Sequence, residues 1–112
     1  MTEGAYYVNP YASADLAAAK AAGLATMAYA FAIPNGGGKS ASPVVQADEL
    51  LAHAAGPDGA VPSVMLDIEY DPYDGTDGTN QCYGLSKSAM GTWISAFGTE
   101  IRAKTAQPAA TR

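Results

Sequence analysis

Apolar positions along the chain fall into two kinds of run. Leu24 to Phe31 (LATMAYAF) is short and uncharged, bounded by Gly23 and by Pro34-Asn35-Gly36. Its length and its neighbours predict a buried strand. Val61 to Tyr70 (VPSVMLDIEY) predicts a second strand, with Pro62 at the start, where a missing donor does least harm. Helical spacing marks the other runs. Tyr11 to Ala22 is helix-forming, with Asn9-Pro10 as cap and first-turn proline and Gly23 as its stop. Ser42-Pro43 repeats that entry and opens a helix with Val44, Ala47, Leu51 and Ala54 on one face, ending at Gly56-Pro57. Ser86 caps a third helix, on which Met90, Trp93, Ile94, Phe97 and Ile101 form an apolar stripe. Ile33–Ser40 reads as a Gly-rich loop, Asp58-Gly59 as a turn, Asp71–Gln81 as a long acidic loop, and Gln107–Arg112 as a frayed tail.

The order is helix, strand, helix, strand, helix. Strands separated by whole helices pair in parallel through crossovers, so the fold class is α/β. Tyr6-Tyr7-Val8, or the residues before it, reads as the remnant of an earlier strand. A two-stranded parallel sheet is a poor free-standing unit, so the pattern predicts the middle of a larger α/β protein.

Composition narrows the picture. The 112 residues make one domain and fall short of the roughly 200 that a complete (β/α)₈ barrel needs. Charged residues are 15%, well under the ordinary ~25%, which excludes the charge-rich disordered class. The net charge of −5 leaves no basic footprint for nucleic acid. No apolar run reaches the ~18 residues of a membrane span, so no membrane insertion is expected. Met1-Thr2-Glu3-Gly4 lacks the marks of a signal peptide. One cysteine, Cys82, and one histidine, His53, supply neither an internal disulfide nor a zinc set. His53 fits a contact with the negative end of its helix, and Trp93 fits the core.

The chemistry concentrates in Leu66-Asp67-Ile68-Glu69-Tyr70, at the C-terminal end of the second strand. Residues i and i+2 of a strand share a face, and two steps place the Asp67 and Glu69 backbones roughly 6–7 Å apart. In parallel α/β proteins ligands sit beyond those strand ends. Paired carboxylates there can divide the work of acid and charge stabiliser, as glycoside hydrolysis requires. On spacing alone the alternative, two solvated acids at a strand end, stays open.

The strand VPSVMLDIEYDPY, followed by Gln81-Cys82-Tyr83-Gly84-Leu85-Ser86 and a helix with Trp93-Ile94, resembles the glycoside hydrolase family 25 lysozymes. So do Thr2-Glu3-Gly4, Tyr7-Val8-Asn9-Pro10-Tyr11, Ala22-Gly23-Leu24 with Ala28-Tyr29-Ala30-Phe31, and Gln46-Ala47, all in the family's order. The resemblance implies part of a TIM-like (β/α) barrel, secreted, that cleaves the β-1,4 bond between N-acetylmuramic acid and N-acetylglucosamine in peptidoglycan. Glu69 matches the general acid. Asp67 matches its partner, which orients the substrate's acetamido group or stabilises positive charge. Glu3 matches a further acid of the groove. Tyr29, Phe31 and Tyr70 match cleft-lining aromatics, with plain core packing the alternative for Tyr29 and Phe31. No metal and no organic cofactor are implied. Ala30 departs from the family, many of whose members have histidine there.

The family's fold also includes an earlier strand with another active-site aspartate and several later strands. A middle portion alone implies a second reading: an inactive barrel fragment that at most binds cell-wall glycan, with unpaired edges open to homo-oligomerisation. In similar actinobacterial enzymes the cysteine matching Cys82 pairs with one in the C-terminal part. That implication leaves Cys82 an orphan, and the alternative is a small residue in a loop.

Two other patterns are weaker. Asn35-Gly36-Gly37-Gly38-Lys39-Ser40 imitates a phosphate loop, but Ile33 stands where the pattern needs its first glycine. Asp67, Glu69, Asp71, Asp74 and Asp77 supply oxygens for calcium without the spacing of an EF-hand.

Overall fold

The computed structural model describes residues 1–35, 41–57 and 59–105; most of the glycine-rich loop, Asp58 of the predicted turn and the predicted frayed tail lie outside these. The elements are β1 (Thr2–Glu3), β2 (Tyr7–Val8), α1 (Ala12–Ala21), β3 (Met27–Phe31), α2 (Pro43–Ala54), β4 (Ser63–Asp67) and α3 (Lys87–Thr105). They form one sheet in the order β2-β1-β3-β4. β1, β3 and β4 run parallel, and β2 folds back antiparallel on β1.

The predicted two-stranded sheet is therefore corrected to four strands. Thr2–Glu3 is the strand before Tyr7–Val8, and both are too short to show a period. Gly4, in the left-handed region at φ 55°, turns the chain between them. Both longer strands also start later than predicted, because pairing begins at Met27 opposite Ser63. Pro62, which has no N–H to give, stays outside the ladder.

The helices largely match their predicted spans. Gly23, at φ 74°, ends α1: its N–H reaches the Lys20 carbonyl and that of Leu24 reaches Ala19. These are the two bonds of a Schellman stop. The start of α1 differs from the prediction. Asn9 Oδ1 accepts from Tyr11 N at 3.0 Å, and Tyr11, not Asn9, holds the cap position without a side-chain bond. Ser42 does cap α2, its Oγ accepting from Val45 N at 3.2 Å with Pro43 in the first turn. Ser86 Oγ accepts from Ala89 N at the start of α3.

β3 alternates strictly. Ala28 and Ala30 are buried under α2 and α3, while Met27 and Tyr29 face the other way. These small side chains leave room for Leu50 of α2 and for Trp93 and Phe97 of α3, whose rings stack at 6.0 Å. Burial of each such large side chain is worth about 1.5–3 kcal/mol. Val64 and Leu66 of β4 join the same layer from the side. The buried face of α2 is Gln46, Ala47, Leu50 and Ala54: Ala47 and Ala54 of the predicted stripe are buried, while Val44 is exposed and Leu51 half-buried. On the third helix the predicted stripe splits: Trp93 and Phe97 are buried, and Ile94 is exposed. α1 buries only Ala12, since its alanines offer little area.

The opposite face of the sheet is bare. Met27 is 57% exposed, Tyr29 45% and Met65 47%. Among the described residues β4 forms one edge of the sheet. No described helix is long and apolar enough to cross a membrane.

Candidate active site

The register of the parallel strands brings the site together. Glu3 is opposite Phe31, and Phe31 is opposite Asp67. Register partners in a parallel sheet point the same way, so these three share the bare face at the C-terminal strand ends. With strands about 4.8 Å apart, the Glu3 and Asp67 backbones are roughly 10 Å apart across Phe31. The ladder continues past the strands: Gly4 N donates to Phe31 O at 3.0 Å, and Ala32 N to Asp67 O at 2.9 Å. The first fixes the backbone next to Glu3, and the second fixes it at Asp67 itself.

Asp67 is the last residue of β4 and partly buried; Glu69 follows in irregular chain and is exposed. Tyr70 beside it is 74% exposed. Tyr29 and Phe31 lie on the bare face, away from the helix-covered core. A depression of about 290 Å³ is lined by Glu3, Tyr7, Asn9, Tyr29 and Phe31. A larger one, about 660 Å³, takes in Glu69, Tyr70 and the apolar Ile68, Leu85, Met90 and Ile94. Asp67 lines neither and stands between them in the register.

Two structures buttress these ends. Gln46 is completely buried in the first turn of α2. Its Oε1 accepts from Ile33 N at 3.1 Å, and its Nε2 donates to Ile33 O at 2.7 Å and Ala41 O at 2.9 Å. The amide thereby fixes the segment that leaves β3 after Phe31. The loop after β4 is held by Asp71, 3% exposed, whose Oδ1 accepts from Tyr73 N at 2.8 Å and Oδ2 from the Thr79 hydroxyl at 2.7 Å. Asp77 accepts from Thr79 N, and this bond with its neighbours holds the Asp77 carboxyl below its ordinary value. These acids act as loop-folding acceptors, and among the described residues no three metal-ligating side chains converge.

Three tyrosines complete the arrangement. The Tyr73 hydroxyl donates to Glu3 Oε1 at 2.7 Å, and the Tyr6 hydroxyl lies 3.3 Å from that of Tyr73. Tyr83, fully buried, reaches Ala32 O with its hydroxyl at 3.3 Å, and its own carbonyl accepts from Asn35 Nδ2. Burial, then the Asp71 carboxylate, push the Tyr83 phenol up to about 12. Sequence reasoning assigned no role to Tyr6, Tyr73 or Tyr83. Each hydroxyl acts on a partner 51 to 70 positions away. The one local signal was that Tyr73 closes the DIEYDPY string. Cys82 is an exposed free thiol at the rim of the larger depression. His53 sits in the last turn of α2, 3.1 Å from Glu49.

Residues 1–110 match the family model for glycosyl hydrolases family 25. The chain is 36% identical over 106 residues to Lysozyme M1 of Streptomyces globisporus, covering 93% of this chain and 33% of that protein. It is 42% identical over 79 residues to an N,O-diacetylmuramidase of Arthroderma benhamiae, covering 69% of this chain and 29% of that one. A bacterial lysozyme from Streptomyces coelicolor superposes with a TM-score of 0.76 at 34% identity, covering 95% of this chain and 46% of that structure. The chain thus spans a third or less of the length of these two curated relatives. Its parallel strands and intervening helices agree with that likeness, and the chain belongs to glycosyl hydrolases family 25.

Proposed function

We propose that this protein is a peptidoglycan hydrolase that cleaves the β-1,4 bond between N-acetylmuramic acid and N-acetylglucosamine, outside the cell. The observation that carries the reading is the register rung Glu3–Phe31–Asp67, with Glu69 two residues further on the same chain. Glu69 is the general acid that protonates the glycosidic oxygen. Asp67 stabilises the positive charge that develops on the sugar, or orients its acetamido group. Glu3 binds the glycan from the far side of Phe31. Tyr29, Phe31 and Tyr70 offer aromatic faces to the C–H surfaces of the sugars. The relatives' names, lysozyme and N,O-diacetylmuramidase, support the substrate class.

The test is release of new reducing ends from purified peptidoglycan, run beside Glu69→Gln. Turnover by the parent that falls at least about a hundredfold in Glu69→Gln supports the assignment. Equal turnover in both removes Glu69 from the role of acid. One observation favours a second reading, a glycan-binding chain without turnover: Met27, Tyr29 and Met65 stand about half exposed on one face of the sheet. Folded protein that retains glycan and releases no reducing ends selects that reading.

A further inference from the structure

We infer that Tyr73 is a positioning residue: its phenol holds the Glu3 carboxylate in one orientation at the groove and ties the loop after β4 to the far wall. The functional meaning of this inference rests on the hydrolase reading, while the positioning itself rests on geometry. The Tyr73 hydroxyl to Glu3 Oε1 distance, 2.7 Å, is that of a charge-assisted bond, roughly twice as strong as a neutral one. Tyr73 is well aimed for it. Its N–H is taken by Asp71 Oδ1, and its carbonyl accepts from Thr76 N, Thr76 Oγ1 and Asp77 N. Asp71 is in turn locked by Thr79, and its own N–H reaches Gln81 O at 3.0 Å.

A second phenol supports the first. Gly4 turns the chain so that Tyr6, three residues after Glu3, stands 3.3 Å from the Tyr73 hydroxyl. Burial, then the bond to Glu3, raise the Tyr6 phenol above its ordinary value. Glu3 is partly buried at the end of a two-residue strand. A glutamate there has three side-chain torsions to fix, and held in one rotamer it presents a defined surface to a sugar. The span matters as well. Tyr73 lies four residues after Glu69 and contacts β1 on the far side of β3. One short stretch of chain therefore sets the position of the acid at β4 relative to the carboxylate at β1.

The experiment combines side-chain NMR of isotope-labelled protein with kinetics on peptidoglycan. The expected result is a single Glu3 rotamer in the parent and rotamer averaging of Glu3 in Tyr73→Phe, with the remaining amide spectrum retained. In turnover, Tyr73→Phe is expected to lower kcat/KM roughly tenfold, the scale of one hydrogen bond to a charged group. Placed in a Glu3→Ala background, which leaves no side-chain acceptor, it is expected to add less than about twofold, because its route of action is already gone. A Glu3 side chain averaged in the parent, or unmoved in Tyr73→Phe, overturns the inference. Equal losses in both backgrounds also overturn it and reassign Tyr73 to loop folding. Should the parent release no reducing ends, the hydrolase reading fails and the Glu3 rotamer alone decides the positioning. Should Tyr73→Phe fail to fold, Tyr6→Phe on the exposed turn supplies the NMR comparison, and there Glu3 averaging is expected to increase; an unchanged rotamer overturns the inference.

Discussion

Gln46 answers both the N–H and the carbonyl of Ile33 with one buried side chain, and takes the Ala41 carbonyl as well. Replacing it by alanine leaves those backbone groups without partners next to the end of β3. Gln46→Ala is expected to destabilise the protein by about 2–4 kcal/mol, from the cost of stranding buried donors and acceptors. Urea unfolding at neutral pH measures it. Tyr83 gives a prediction of a different kind. Its phenol is raised from 10 to about 12 in the fold, so the folded state holds that proton more tightly than the unfolded chain. The stability it contributes is fully present below pH 10 and is lost as pH rises toward 12. In Tyr83→Phe this part of the alkaline decline is expected to disappear, read as a flatter Tm against pH over that window. As candidates, Asp67 and Glu69 were legible because their spacing is local. Tyr73 and Gln46 were not, because what they do depends on partners that only the fold brings near.

At the scale of elements, sequence signals were strongest where one or two residues decide a boundary. Ser42, Ser86 and Gly23 each stand where the local chemistry requires them. Ser86→Ala is expected to cost about 1 kcal/mol through loss of the cap on α3, measured by thermal unfolding. Asn9 makes the expected side-chain bond to the second following N–H, but the regular helix begins later, at Ala12. The faces of α2 and α3 were harder to read than their lengths. Valine at positions 44 and 45 suggests core, yet both are exposed, since the orientation of α2 is set by Gln46, Ala47 and Leu50 meeting the alanines of β3. The two-residue strands carried no periodicity to read. Only the pairing of β1 with β3 puts Glu3 in one rung with Phe31 and Asp67.

The whole molecule is a slab of 43 × 30 × 20 Å, helices on one side and apolar side chains bare on the other. A face left bare and a strand edge left unpaired among the described residues favour association. Self-association that grows with concentration is the expected result in sedimentation, and Met65→Lys, on the bare face of β4, is expected to weaken it at least several-fold. A concentration-independent monomer refutes this expectation.

The loop from Asp71 to Gln81 has one more consequence. Its two ends are joined by the Asp71 N to Gln81 O bond, while Asp74 and Gly75 at its tip are exposed. A loop already closed at its neck isolates its tip from the rest of the molecule. The tip is thus a port for a label rather than for extra chain: a label carried by Asp74→Cys, with Cys82→Ser removing the other thiol, is expected to leave the Tyr73 to Asp77 turn at its length and to reach neither wall of the groove.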